Sequence, residues 1–473
     1  MSAPVDSARA RLGEGFAASA GPLRRVWTWV HDGPLIHSYY ALAVSSILLF
    51  VIGAMMVLSA SAVESISAEE SAFGLFQRQV VFGVAGIAAM LVLSRLPSRL
   101  YRRISFPTFV ISCVFLFAVV PFGVEVNGNR NWLSLGGFSL QPSEVAKLTC
   151  ALMLGIWLGL SAGRITTWKD ALWPSGLAVG IPVLFVMYGR DMGTALIFAM
   201  IYAAALFFAG APLRLFLAAG AIGVVLAGGL IAVAPHRISR VSAWLTGDCD
   251  PAAGCYQAMH GLSALATGGW WGVGLGQSRS KYNYVPEAHN DFIFAIIGEE
   301  LGLIGTVLIL VLFAVMAVAM ARVLMRSSSG FERIVTGSIL AWLIGQAFVN
   351  IGMVTGLLPV IGVPLPFISY GGTSLMMCLA AVGVVMSFAR APSTPGAGDA
   401  APRLRDGRPA GIEAVSAPGG RRGPDAYDDR RRNPAGPSRD APRGQSRPHH
   451  GDEPIAEVHD IRRGRVLRGR STP

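Results

Sequence analysis

Residues Val285 to Gly305, VPEAHNDFIFAIIGEELGLIG, set three carboxylates, Asp291, Glu299 and Glu300, where a polar loop runs into an apolar segment. On a continuous helix rising about 1.5 Å per residue, Glu299 and Glu300 lie roughly 12 to 14 Å deeper than Asp291. Asp291 is therefore at the water edge, where it can meet a substrate from outside, and at least one glutamate is expected to make a helix–helix hydrogen bond. An N-cap role for Asp291 is a compatible alternative.

Two further groups of side chains could do chemistry. Glu144 and Lys147, in QPSEVAKL, are three apart on an apolar run and share a helix face, so they are expected to pair inside the bundle. Arg130, Arg190, Arg237, Arg240, Arg279 and Lys281 fall in or beside two long polar loops, Gly123 to Glu144 and Ala234 to Asn290. Charge bias places those loops outside, where basic residues are disfavoured. A phosphate or pyrophosphate ligand would account for the cluster; pairing with acidic lipid or with Asp191, Asp248, Asp250 and Glu287 is the plainer alternative. Cys249 and Cys255, in GDCDPAAGCYQ, are candidates for a disulfide on the same side, with two free thiols as the alternative. WGVGLGQS neither follows a strand nor opens a dinucleotide-binding unit and reads as a flexible outer loop. Pro359, Pro364, Pro366, Gly371 and Gly372 mark irregular backbone around the last apolar run, tolerated at membrane depth only where it packs in protein or lines a cavity. No metal-ligand spacing, catalytic triad or P-loop is present.

The elements that must position these groups are membrane helices. Of 473 residues 53% are hydrophobic and only 14% charged, with a mean hydropathy of +0.52, which excludes an ordinary soluble domain. About ten runs approach the ~20 residues a bilayer-spanning helix needs: Tyr40 to Val63, Phe76 to Leu93, Ile104 to Phe122, Pro142 to Leu160, Ala171 to Tyr188, Met192 to Ala209, Leu215 to Val233, Ile293 to Met320, Ile334 to Val354 and Phe367 to Phe388. The expected fold is an all-α polytopic membrane protein. Basic residues around the first span and after the second, fourth, sixth and eighth place both termini in the cytoplasm and a large outer loop between spans seven and eight. Residues 1–39 read as a cytoplasmic segment with the first span a retained signal anchor, and 40–390 as the transmembrane domain. Residues 391–473 read as a disordered Arg/Pro/Gly-rich cytoplasmic tail suited to lipid or a protein partner rather than nucleic acid.

Four motifs carry a resemblance: NGNRNWLSLGGFSLQPSEVAKL, CYQAMHGLSALATGGWWGVGLGQS, VPEAHNDFIFAIIGEELGLIG and NIGMVTGLLPVIGVPLPFISYGGTSL. In this order they resemble the shape, elongation, division and sporulation family, and GEELG with the long charged tail is most similar to its actinobacterial division branch. The resemblance implies a ten-span peptidoglycan glycosyltransferase in the bacterial cell membrane at the division septum. It would polymerise lipid II, release undecaprenyl diphosphate, and work with a class B penicillin-binding protein and other division proteins. It carries a catalytic aspartate, which the implied reaction would use as general base, onto Asp291, and a polar cavity pair, expected to be substrate-binding, onto Glu144 and Lys147. Arg130, Arg190, Arg279 and Lys281 are added from charge alone as substrate-binding candidates, with or without a divalent cation. A lipid II transporter, a recruiting scaffold and an elongation polymerase are the competing classes. A transporter would place its key charges near the bilayer midplane, whereas Asp291 is expected at the outer edge.

Overall fold

All ten apolar runs fold as helices in the computed structural model, which describes residues 34–67, 73–126, 128–135, 138–161, 163–232, 244, 256–279 and 290–390. They are α1 Ile36–Ser67, α2 Gly74–Leu93, α3 Ser98–Phe122, α4 Pro142–Ser161, α6 Ser175–Tyr188, α7 Met192–Phe208, α8 Leu213–Ala232, α10 Ile293–Arg326, α11 Gly330–Val354 and α12 Gly372–Arg390. The short α5 Trp168–Leu172 and α9 Tyr256–Gly268 stand between them. Seven, α1 to α4 and α10 to α12, are long and apolar enough to cross a bilayer. The other three are shorter apolar helices, α6 with 14 residues, α7 with 17 and α8 apolar over Leu213–Val225. The fifth run starts later than its hydropathy suggests. A capping box between Thr167 and Asp170 opens the separate short α5, which ends at Leu172, and Pro174 sits at the start of α6.

The first outer loop is not irregular. It forms an antiparallel meander, β1 Val124–Val126, β2 Asn129–Leu135 and β3 Phe138–Leu140, a small addition to an otherwise helical chain. Glu125 pairs with Arg130 and Leu133 with Leu140, and Leu133 is buried. Alternating side chains in NRNWLSL give β2 one inward face.

α12 packs on α2 and α1, α10 on α1, α11 on α7 and α4, and α9 lies along the start of α10. α4, α11 and α12 are the most enclosed helices, while α2 and α3 present Val81, Val84, Val110, Val114 and Phe117 outward, as lipid-facing helices do. The last apolar run begins late as a helix because Thr355 to Gly371 cross the bundle as irregular backbone, matching the proline and glycine concentration there.

One departure from expectation matters for the site. α10 is two helices merged across a break at Gly302, whose φ of 65° and ψ of −162° lie in a region open only to glycine. The break lies just beyond Glu299 and Glu300, so a continuous short helix still joins them to Asp291, while the rest of α10 beyond Gly302 is a separate helix. Asn350, which donates to the Asp291 carbonyl, stands about 30 Å along α11 from its first residue, Gly330. Ser59, which donates to Glu300, stands about 30 Å along α1 from Tyr39, whose hydroxyl meets Ser94 beside the basic inner loop. The break sets the short first part of α10, led by Asp291 and ending at Glu299 and Glu300, apart from its long remainder.

Candidate active site at the outer mouth of the bundle

Asp291 sits just ahead of α10, whose N-cap position falls on Phe292 rather than on Asp291. Two neighbours fix its backbone: Asn350 Nδ2 donates to the Asp291 carbonyl at 2.9 Å, and Ser369 Oγ donates to the Asn290 carbonyl at 2.7 Å. The same Asn350 amide donates to the Val363 carbonyl at 2.7 Å. Asp291 thus lies against the irregular segment before α12. A Cβ placed on Gly362, where φ is +79°, would stand 3.3 Å from Asp291 Oδ2.

Behind that segment is the buried pair. Lys147 Nζ and Glu144 Oε2 are 2.8 Å apart with their side chains 2% and 3% exposed, as their spacing on α4 led one to expect. Lys147 also donates to Gln346 Oε1 at 3.3 Å and lies 4.9 Å over the Trp342 ring, within cation–π range. Gln346 accepts from Trp342 Nε1 at 2.9 Å and donates to the Pro364 carbonyl at 2.9 Å. Glu144, Lys147, Thr194, Gln346 and residues 362–364 line a cavity of about 10 Å³, room for about one water. Asp291 and the ion pair therefore flank the segment Gly362–Pro364, and Asn350 and Gln346 pin that segment from α11.

Trp342, Gln346 and Asn350 escaped the sequence reading. Their spacing of four puts them on one helix face, and polar side chains in step along an apolar helix are a legible signal. Asp191, named from the sequence only as an alternative partner for the outer cations, has a structural role. It caps α7 by accepting from Thr194 N at 2.8 Å and Thr194 Oγ1 at 2.8 Å, and receives Asn131 Nδ2 at 3.0 Å.

The outer cations divide. Arg130 N donates to the Gly189 carbonyl at 3.1 Å, so β2 and the loop before α7 bring Arg130 and Arg190 to adjoining segments. Arg130 Nε is already engaged, at 2.9 Å from the Gly123 carbonyl, which leaves it less of its guanidinium for an anion. Arg190 is exposed and holds a left-handed backbone, φ 64°, an unusual state for a side chain of its size. Arg279 is exposed at the end of the strap that follows α9. Lys281, Arg237, Arg240, Cys249 and Cys255 lie outside the described residues, as do residues 391–473. No group of three or more His, Cys, Asp and Glu side chains that could hold a metal ion occurs among the described residues.

The Gly-x-Gly-x-Gly loop is held, not free. Val273 N and Gly274 N donate to the Glu299 and Glu300 carbonyls at 2.9 and 3.1 Å, and Leu303 N donates to the Gly269 carbonyl at 2.9 Å. At its tip Trp270 and Trp271 are exposed at the outer level, where indole rings suit the lipid–water boundary.

Residues 40–393 match a family model described as cell cycle protein, the FtsW, RodA and SpoVE family. The chain is 40% identical over 374 residues to the probable peptidoglycan glycosyltransferase FtsW of Mycobacterium tuberculosis, covering 79% of this chain and 71% of that protein. It is 38% identical over 352 residues to the stage V sporulation protein E of Bacillus subtilis, covering 74% of this chain and 96% of that one. Among solved structures, a chain of a peptidoglycan synthase complex that coordinates polymerization and crosslinking superposes with a TM-score of 0.61 at 26% identity, over 75% of this chain and 97% of that one. The rod shape determining protein RodA of Thermus thermophilus shares the fold, with a TM-score of 0.55 at 24% identity over 74% and 96%.

Proposed function

Because this chain belongs to the FtsW, RodA and SpoVE family of cell cycle proteins, we propose that it is a peptidoglycan glycosyltransferase that polymerises lipid II at the outer membrane face during septal wall synthesis. The observation that carries the reading is the placement of Asp291. Its backbone is pinned at the outer mouth by Asn350, and its carboxylate abuts the segment that covers the buried Glu144–Lys147 pair.

The chemistry needs one base and a stabilised leaving group. A sugar hydroxyl of one lipid II attacks the anomeric carbon of a second chain. Asp291 takes the hydroxyl proton as the new glycosidic bond forms, and the bond from that carbon to undecaprenyl pyrophosphate breaks with its electron pair on the phosphate oxygen. The leaving group needs charge neutralisation rather than protonation, so the second carboxylic acid of most glycosidases is dispensable. Arg190 and Arg279, both exposed on the outer side, are suited to that role. Glu144 and Lys147 border space for only about one water, so they support the site from behind, through Gln346, which Lys147 bonds and which holds the Pro364 carbonyl.

The partner is a class B penicillin-binding protein, in keeping with the synthase complex that the fold matches. The test is reconstitution of the purified chain with such a transpeptidase in liposomes carrying fluorescent lipid II. The expected result is long glycan that a muramidase digests. Redistribution of lipid II between leaflets without polymer would overturn the reading in favour of a transporter.

A further inference from the structure

We infer that Glu299 and Ser278 are positioning residues that fix Arg279 relative to the short helix led by Asp291, an inference that rests on the outer face being the lipid II site. The starting point is backbone arithmetic. Where α10 breaks at Gly302, the carbonyls before the break and the N–H groups after it lose their helical partners and must find others. The strap Gly268 to Arg279 supplies them. Val273 N and Gly274 N serve the Glu299 and Glu300 carbonyls, while the Gly269 and Trp270 carbonyls accept from Leu303 N and Ile304 N at 2.9 and 3.4 Å. The approach is close enough that a Cβ on Gly302 would lie 2.4 Å from Gly272 N.

The side chains at the break then extend this hold toward Arg279. Glu299 uses both oxygens, accepting from Ser278 Oγ at 2.6 Å and from Arg279 N at 3.0 Å. Glu300 accepts from Ser278 N at 3.3 Å and from Ser59 Oγ at 2.6 Å. Ser278, Glu299 and Glu300 are 1%, 2% and 1% exposed, whereas the Arg279 side chain emerges at the surface. A continuous chain of hydrogen bonds thus runs from α1 through two carboxylates to the Arg279 backbone. The same short helix leads from Asp291 at one end to this latch at the other. Buried carboxylates accepting from hydroxyl and amide donors make strong, directional contacts, and here they set the root of a cationic side chain, not its tip.

The test uses the full chain in nanodiscs, with Glu299→Ala, Glu299→Gln and Ser278→Ala. The last removes a single hydroxyl, so it reports even where Glu299→Ala fails to fold. Hydrogen exchange read over residues 272–280 without substrate should speed by about tenfold in Glu299→Ala and Ser278→Ala, and by much less in Glu299→Gln, which keeps one acceptor for Arg279 N. With lipid II and the partner transpeptidase, Ser278→Ala should raise the half-saturating lipid II concentration by about tenfold, with saturated turnover changed by less than about threefold. Unchanged exchange in Glu299→Ala and Ser278→Ala would overturn the latch. So would a Glu299→Gln variant that loses turnover at unchanged half-saturation, since that would make Glu299 a proton-transfer group. The exchange result stands whether or not the chain polymerises lipid II.

Discussion

Lys147 is held by one carboxylate, one amide oxygen and one indole face, all inside the bundle. Desolvating two ions costs several kcal/mol each, and their attraction only about offsets it, so the pair fixes geometry more than it adds stability. The asymmetry gives a prediction. Lys147→Met strands a buried Glu144 and should cost about 3–5 kcal/mol, while Glu144→Gln with Lys147→Met should cost clearly less than the two single changes summed. Thermal unfolding of the four proteins in one detergent checks this, and additive losses would contradict it. At this scale the sequence was informative wherever a charge stood in an apolar run, because hydrocarbon tolerates few of them. Asp291, Glu144 and Lys147 were found that way. Gln346 and Asn350 carry no charge and were overlooked, although they are what connects the other three. Glu299 and Glu300 were read as bundle-holding groups, and Glu300 does bond Ser59 of α1, while Glu299 serves the strap instead.

The broken helix α10 is the decisive element. Gly302 adopts a backbone conformation that costs other residues of order 1–3 kcal/mol, and a Cβ there would strike the strap as well. Gly302→Ala should therefore lower the unfolding temperature and release the strap, and an unchanged melting temperature in detergent would contradict the break. Nothing in GEELGLIG distinguishes Gly302 from Gly298 or Gly305 in advance, since glycine is common within these spans and a break needs tertiary partners for its orphaned backbone groups. Long apolar runs, by contrast, are readable because a lipid environment allows them one main solution. The loop from Gly123 to Glu144 was read as polar and outer but not as a sheet. Its strands are three to seven residues long and stabilised by each other and by the loop before α7, information that local sequence does not contain.

Over the whole molecule, ten apolar helices form a frame whose enclosed members, α4, α11 and α12, surround the polar network, while Asp291, the strap and the sheet close its outer end. Composition and basic loops were enough to anticipate the frame. The arrangement at its mouth came instead from bonds between segments far apart in sequence, such as Asn350 to Asp291 and Ser59 to Glu300. The frame explains why a single carboxylate suffices. In the proposed reading, one base, Asp291, would meet the acceptor hydroxyl, and the exposed Arg190 and Arg279 would meet the pyrophosphate of a lipid still held in the membrane. The most direct test compares the purified chain with its Asp291→Asn variant, each paired with a class B penicillin-binding protein and given labelled lipid II. Glycan ladders from the unaltered chain and their loss, by about a hundredfold or more, from an Asp291→Asn protein of unchanged melting temperature are the predicted result; ladders of equal intensity from both would contradict it.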